Sequence, residues 1–193
     1  VITRLFLVRH GPTHAKSMVG WSDIPADLSD TAAISRLEQF LPAQALVISS
    51  DLIRAVHTAD AIQGPRQRLP HQPALREIHF GDWELRTWAE VDAEDPEGIR
   101  AYWENPGDTA PPGGESWNAV RRRVDAAMDA LIARHRGQDL IVTGHFGQIL
   151  TQVQRALNIT ADEAFGHKID NLSVTEVSHG PDGWRTGRIN HCP

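Results

Sequence analysis

The sequence predicts an α/β fold with a largely parallel sheet. Three observations carry this reading. The first apolar run, Leu5-Phe6-Leu7-Val8, is unbroken and reads as a fully buried strand. Two strand–helix units follow one another between residues 4 and 62. A third apolar run, "DLIVTG" at 139–144, again leads through a turn into a helical pattern.

The elements follow in order. Residues 4–9 form the first strand, which ends in Arg9-His10-Gly11-Pro12. "SDTAAISRLEQFL" (29–41) reads as a helix, because Ile34, Leu37 and Leu41 recur at helical spacing and Ser29 or Asp30 can cap its start. "ALVISS" (45–50) is the second strand. "DLIRAVHTADAI" (51–62) is the next helix, with Ile53, Val56 and Ala59 on one face and Ser50 or Asp51 as its cap. The middle is rich in Pro, Gly and Trp, and Pro106, Pro111, Pro112, Gly113 and Gly114 mark a loop. Glu115 or Ser116 then opens a long helix to about Arg136, with Val120, Val124, Met128, Leu131 and Ile132 along one stripe. After the strand at 139–144, "HFGQIL" turns into another helix. "NLSVTEVSH" and "GWRTGRIN", separated by Pro181-Asp182-Gly183, read as a closing hairpin. No repeat or linker divides the chain, so residues 1–193 are expected to form a single domain.

Bulk properties narrow the function. Of 193 residues, 40% are hydrophobic and 23% charged, which suits a globular protein. The net charge of −6 argues against nucleic acid or an anionic membrane as partner. No apolar run approaches the ~20 residues of a membrane span, and no signal-peptide pattern is present. The one cysteine, Cys192, excludes an intrachain disulfide, and a cytoplasmic location is the default expectation. The ten histidines are scattered, which excludes a tag.

Chemistry-bearing residues recur at strand ends. The first strand ends in Arg9-His10-Gly11. The second ends in Ser49-Ser50-Asp51, with Arg54 one turn into the next helix, and the third ends in Gly144-His145. In open α/β sheets ligands bind at the carboxyl ends of strands. If the strands are parallel neighbours, Arg9, His10, Arg54 and His145 converge on one pocket. Two guanidinium groups and two imidazoles suit a phosphoryl group, and Gly11 would let backbone N–H groups approach the anion. An isolated Arg-His-Gly means little, but the second strand-end histidine and Arg54 turn it into a constellation.

"RHG" after the first strand, "SDLIRAVHTA" after the second, "LREIHFGDWE" in the middle and "GHFGQI" near the C-terminal third resemble the histidine phosphatase superfamily, in its phosphoglycerate-mutase-like branch. The resemblance implies a three-layer α/β/α sandwich with a mostly parallel central sheet. It implies His10 as the nucleophile that becomes phosphohistidine. Arg9, Arg54 and His145 would bind the phosphoryl oxygens, and Glu77 would be the general acid and later the base for water. No metal or other cofactor is implied. Three departures stand out. Pro12 occupies a position where the family usually has Glu or Gln. Lys16 stands where it often has an Asn that contacts phosphate, and Lys16 could bind phosphate as a point charge. Phe146 replaces a small residue and excludes an acid directly after His145.

Plainer readings apply elsewhere. His10 and His14 have metal-like spacing, but Pro12 between them opposes a shared helix and a shared zinc. His57 is expected on a helix surface, and His79, His135, His167 and His179 in solvent. Asp82 and Glu84 are expected to hold their loop through backbone hydrogen bonds. Arg121, Arg122 and Arg123 read as a solvated face. Trp83, Trp88, Trp103 and Trp117 read as core, or alternatively as the wall of a substrate lid. The expected activity is metal-independent hydrolysis of a small-molecule phosphomonoester. A phosphoglycerate mutase and a non-catalytic module that binds phosphorylated ligands are the alternatives. Mutases of the family are generally longer, which favours hydrolysis.

Overall fold

The computed structural model describes residues 1–193. Its elements are β1 (Thr3–Arg9), α1 (Thr31–Phe40), β2 (Leu46–Ser49), α2 (Ile53–Ile62), β3 (Gln67–Arg68), α3 (Trp88–Glu94), α4 (Pro96–Glu104), α5 (Trp117–Arg134), β4 (Asp139–Gly144), α6 (Phe146–Leu157), α7 (Ala161–Phe165), β5 (Val174–Gly180) and β6 (Gly183–Thr186). The strands form one sheet in the order β3-β2-β4-β1-β5-β6. The first four are parallel, and the hairpin β5–β6 adds the antiparallel edge.

The unbroken apolar run of β1 has a direct explanation. Successive side chains of a strand point to opposite faces. Phe6 and Val8 pack with Leu37 of α1 and with Ala59 and Ile62 of α2. Leu5 and Leu7 belong to the larger core on the other face, with Val120, Val124 and Met128 of α5 and Ile149, Leu150 and Val153 of α6. Both faces are covered, so the expected three-layer α/β/α sandwich is the fold. The register then sets the site. Arg9 of β1 lies opposite Gly144 of β4, and Ser49 of β2 lies opposite Thr143. His10 and His145, each one step further on, therefore emerge side by side, with Ser50 beside them at the level of Gly144.

The middle segment is a cap of short helices over the larger core. Trp83 and Trp117 are buried, and Trp103 packs partly buried against the same cluster. Trp117 crosses Phe165 edge-on, with ring centroids 4.7 Å apart, and its indole N–H reaches Gln154. Trp88, in contrast, is 45% exposed. Core packing is thus the role of three of the four tryptophans.

Helix α2 departs from expectation in two respects. Its buried face is Ala55, Thr58, Ala59 and Ile62 together with Arg54, not the face of Ile53 and Val56. Neither Ser50 nor Asp51 caps it. Asp51 is paired with Arg76, and the N–H of Ile53 instead donates to Asp23 Oδ1 at 2.7 Å. A cap supplied from 30 residues upstream leaves no local sequence signal. For α1, Asp30 is the cap, and it accepts from the Ala33 N–H.

Candidate active site

His10 sits at the end of β1, 6% exposed. Its Nδ1 lies 2.7 Å from the Gly11 carbonyl oxygen. A carbonyl only accepts, so Nδ1 carries the ring proton and Nε2 keeps the lone pair. Arg54 donates its Nε–H toward that Nε2 at 3.3 Å. Burial foremost, and then the Arg54 charge, lower the His10 pKa to about 3, so the imidazole is neutral at pH 7. Asn171 fixes the backbone by donating to the His10 carbonyl at 2.9 Å.

His145 lies beside it, with ring centroids 5.3 Å apart. Its Nε2 is 2.6 Å from Ser50 Oγ, and burial holds its pKa well below the ordinary value. Arg9 donates to the Ile169 carbonyl at 2.6 Å, while its Nε is buried without a partner. The guanidinium stands over the Phe146 ring, 5.5 Å from the centroid. The departure at position 146 therefore supplies a cation–π contact that helps seat Arg9. Arg54 is 1% exposed, and its two amino groups donate to the carbonyls of Gly20 and Ser22 at 2.5 and 2.7 Å.

Glu77 is 6% exposed, within the field of Arg54 and Arg9. It accepts from the N–H groups of Ile78 and of Gly147, the latter at 3.0 Å. Burial raises its pKa, against the opposing pull of those N–H groups and of Arg54 and Arg9. A Cβ at Gly147 would lie 2.3 Å from Glu77 Oε1, so only glycine permits this contact. The backbone around Glu77 is pinned by Arg123. That residue donates to the carbonyls of Ala74, Arg76 and Glu77 and pairs with Glu115 at 2.7 Å. Arg123 is therefore not on a solvated face, as a charge run suggests. It was hidden in the sequence because its partners are backbone carbonyls.

An open cavity of about 420 Å³ leads to His10, lined by Arg9, Pro12, Thr13, His14, Ala15, Lys16 and Asn171. Lys16 is an exposed member of this lining and pairs with no carboxylate. Gly11 corrects an expectation. Its N–H is already donated to Thr58 Oγ1 at 3.0 Å, so it is not free for an anion. A Cβ there would lie 2.7 Å from Leu28 Cδ2, so the glycine serves close packing. His57 is exposed on the far face of α2. His79 is partly buried rather than solvated, with its ring 4.3 Å from that of Trp21. Asp82 is exposed and holds no backbone group, whereas Glu84 does hold a loop. Sequence reasoning missed Asn171 and Thr58, which are ordinary polar residues that only the fold brings to the site. No group of three or more His, Cys, Asp or Glu side chains is arranged to hold a metal ion.

Comparison with known proteins bears on this geometry. The family model described as "Histidine phosphatase superfamily (branch 1)" matches residues 5–191. The chain is 30% identical over 174 residues to the adenosylcobalamin/alpha-ribazole phosphatase of Escherichia coli K12, covering 86% of this chain and 85% of that protein. It is 39% identical over 141 residues to the glucosyl-3-phosphoglycerate phosphatase of Mycolicibacterium vanbaalenii, covering 69% and 59%. Among solved structures, YhfR of Bacillus stearothermophilus superposes with a TM-score of 0.90 at 28% identity, over 99% of this chain and 98% of that one. A strand-end pair of histidines, a buried and a partly buried arginine beside them and a match over nearly the whole chain lead to one conclusion: this chain belongs to the histidine phosphatase superfamily, branch 1.

Proposed function

We propose that the chain is a phosphomonoesterase that hydrolyses small phosphomonoesters through a phosphohistidine on His10, with no metal ion or cofactor. The state of His10 carries this reading: a neutral imidazole whose Nδ1 proton is held by the Gly11 carbonyl and whose Nε2 keeps its lone pair, steadied by the Arg54 Nε–H. Nε2 attacks phosphorus, the N–P bond forms and the P–O ester bond breaks. The leaving oxygen takes its proton from the Glu77 carboxyl, whose protonated form burial favours. In the second half, water gives a proton to the Glu77 carboxylate as its oxygen attacks phosphorus. The P–N bond then breaks, His10 is restored, and phosphate leaves. Arg9, Arg54 and His145 surround the transferred group and stabilise charge on its oxygens, which is the larger part of phosphoryl-transfer catalysis.

The relatives named above act on α-ribazole phosphate and glucosyl-3-phosphoglycerate, and a small organic phosphomonoester is the corresponding substrate class here. The open cavity admits water to His10, which favours hydrolysis over transfer to a second hydroxyl as in a mutase. The chemically complete pocket argues against a module that only binds. The single cysteine is consistent with a cytoplasmic setting. A panel of metabolite monoesters assayed with EDTA present tests the reading. Turnover of at least one ester, unchanged by the chelator, is expected. Activity that vanishes on chelation and returns with a divalent ion contradicts it.

A further inference from the structure

The guanidinium of Arg54 does not hold itself in place. Its two amino groups are fixed by the carbonyls of Gly20 and Ser22, and only then does Nε point at His10 Nε2. Those carbonyls belong to a three-residue loop with no regular structure of its own, Gly20-Trp21-Ser22. One carboxylate organises that loop. Glu84 accepts from the Gly20 N–H at 3.0 Å, from the Trp21 N–H at 2.7 Å and from the Ser22 hydroxyl at 2.8 Å. The same loop reaches the acid, because the Trp21 indole N–H donates to the Glu77 carbonyl at 2.8 Å. Contact is close on every side. A Cβ at Gly20 would lie 2.2 Å from Glu84 Oε1 and 2.1 Å from the Ile78 carbonyl.

Resting on the phosphatase reading, we infer that Glu84 is a positioning residue that sets both Arg54 and Glu77 through the loop 20–22. A carboxylate is required chemically. All three of its partners are donors, and an ionised carboxylate is acceptor-only, with room for all of them. An amide offers one acceptor oxygen and turns two N–H donors toward the Gly20 or Trp21 N–H. Glu84→Gln therefore loosens the loop without altering any group that touches substrate.

The test pairs binding with catalysis, at a temperature where circular dichroism shows each protein fully folded. Orthovanadate, an oxyanion that mimics the transferred phosphoryl group, probes Arg54 directly. Glu84→Gln is expected to weaken vanadate binding about tenfold, the scale of one lost charge-assisted contact. Its kcat on an alkyl phosphate should fall further than its kcat on nitrophenyl phosphate, because a displaced Glu77 matters most for the poorer leaving group. Asp82→Asn, two residues away and exposed, should change neither. A folded Glu84→Gln protein with wild-type vanadate affinity and an unchanged leaving-group ratio overturns the inference and leaves Glu84 a purely structural residue. Should Glu84→Gln fail to fold, Ser22→Ala removes one of the three bonds, and unchanged vanadate affinity and leaving-group ratio there have the same force. Wild-type protein that binds vanadate but turns over no ester contradicts the phosphatase reading, while the vanadate comparison still decides the role of Glu84.

Discussion

His10 has two nitrogens that its surroundings make unequal, and that inequality has consequences beyond catalysis. Its pKa falls from the ordinary 6.5 to about 3, chiefly because the charged ring would be buried. Between those values the unfolded chain binds a proton that the folded chain does not, so stability falls as pH drops through the window. From pH 6.5 to 5 this residue alone should cost about 2 kcal/mol. Urea unfolding at the two pH values should show a shallower fall for His10→Gln than for wild type, and equal falls contradict the assigned state. Glu77 is shifted the other way, upward by burial, which is what a general acid needs near neutral pH. Glu77→Gln is expected to slow alkyl phosphate turnover by about 10²-fold or more and nitrophenyl phosphate less, since an activated leaving group needs little protonation. Steady-state rates on both substrates, with burst kinetics to separate the two half-reactions, check this. Near-wild-type rates on both remove Glu77 from its role.

At the scale of elements, α2 carries Arg54 and is capped from outside by Asp23. Asp23→Ala should cost about 1 kcal/mol, the usual worth of an N-cap. Because the capped turn contains Arg54, oxyanion affinity should weaken as well. Thermal unfolding with and without vanadate reads both effects, and a variant with unchanged Tm contradicts the cap. The same helix shows what was legible in the sequence. Its existence could be read from spacing, but its buried face, which includes Arg54, could not. Its cap could not, because a side chain 30 residues away leaves no local pattern. The strands were easier. Their apolar runs are long relative to their length, and cover on both faces forces the unbroken pattern of β1.

At the scale of the whole molecule, the parallel order of β2, β4 and β1 turns three separate strand ends into one site. His10, Arg9, Arg54 and His145 were legible because each follows an apolar run at the place where such sheets bind ligands. Glu77 came only from resemblance, since it lies in a loop whose course no periodicity reveals. Glu84 was read as a loop holder and is one, whereas Arg123 and Asn171 act on distant backbone carbonyls, and such roles leave no mark on composition or spacing. The central claim is covalent transfer to His10. Its most direct measurement mixes the enzyme with a ³²P-labelled ester, quenches in alkali within milliseconds, where phosphohistidine survives, and maps the labelled peptide. The account predicts label on the peptide that contains His10, lost on acid treatment and absent from His10→Ala, which should also have no turnover. An active enzyme that carries no label at His10, or a His10→Ala protein with substantial turnover, contradicts it.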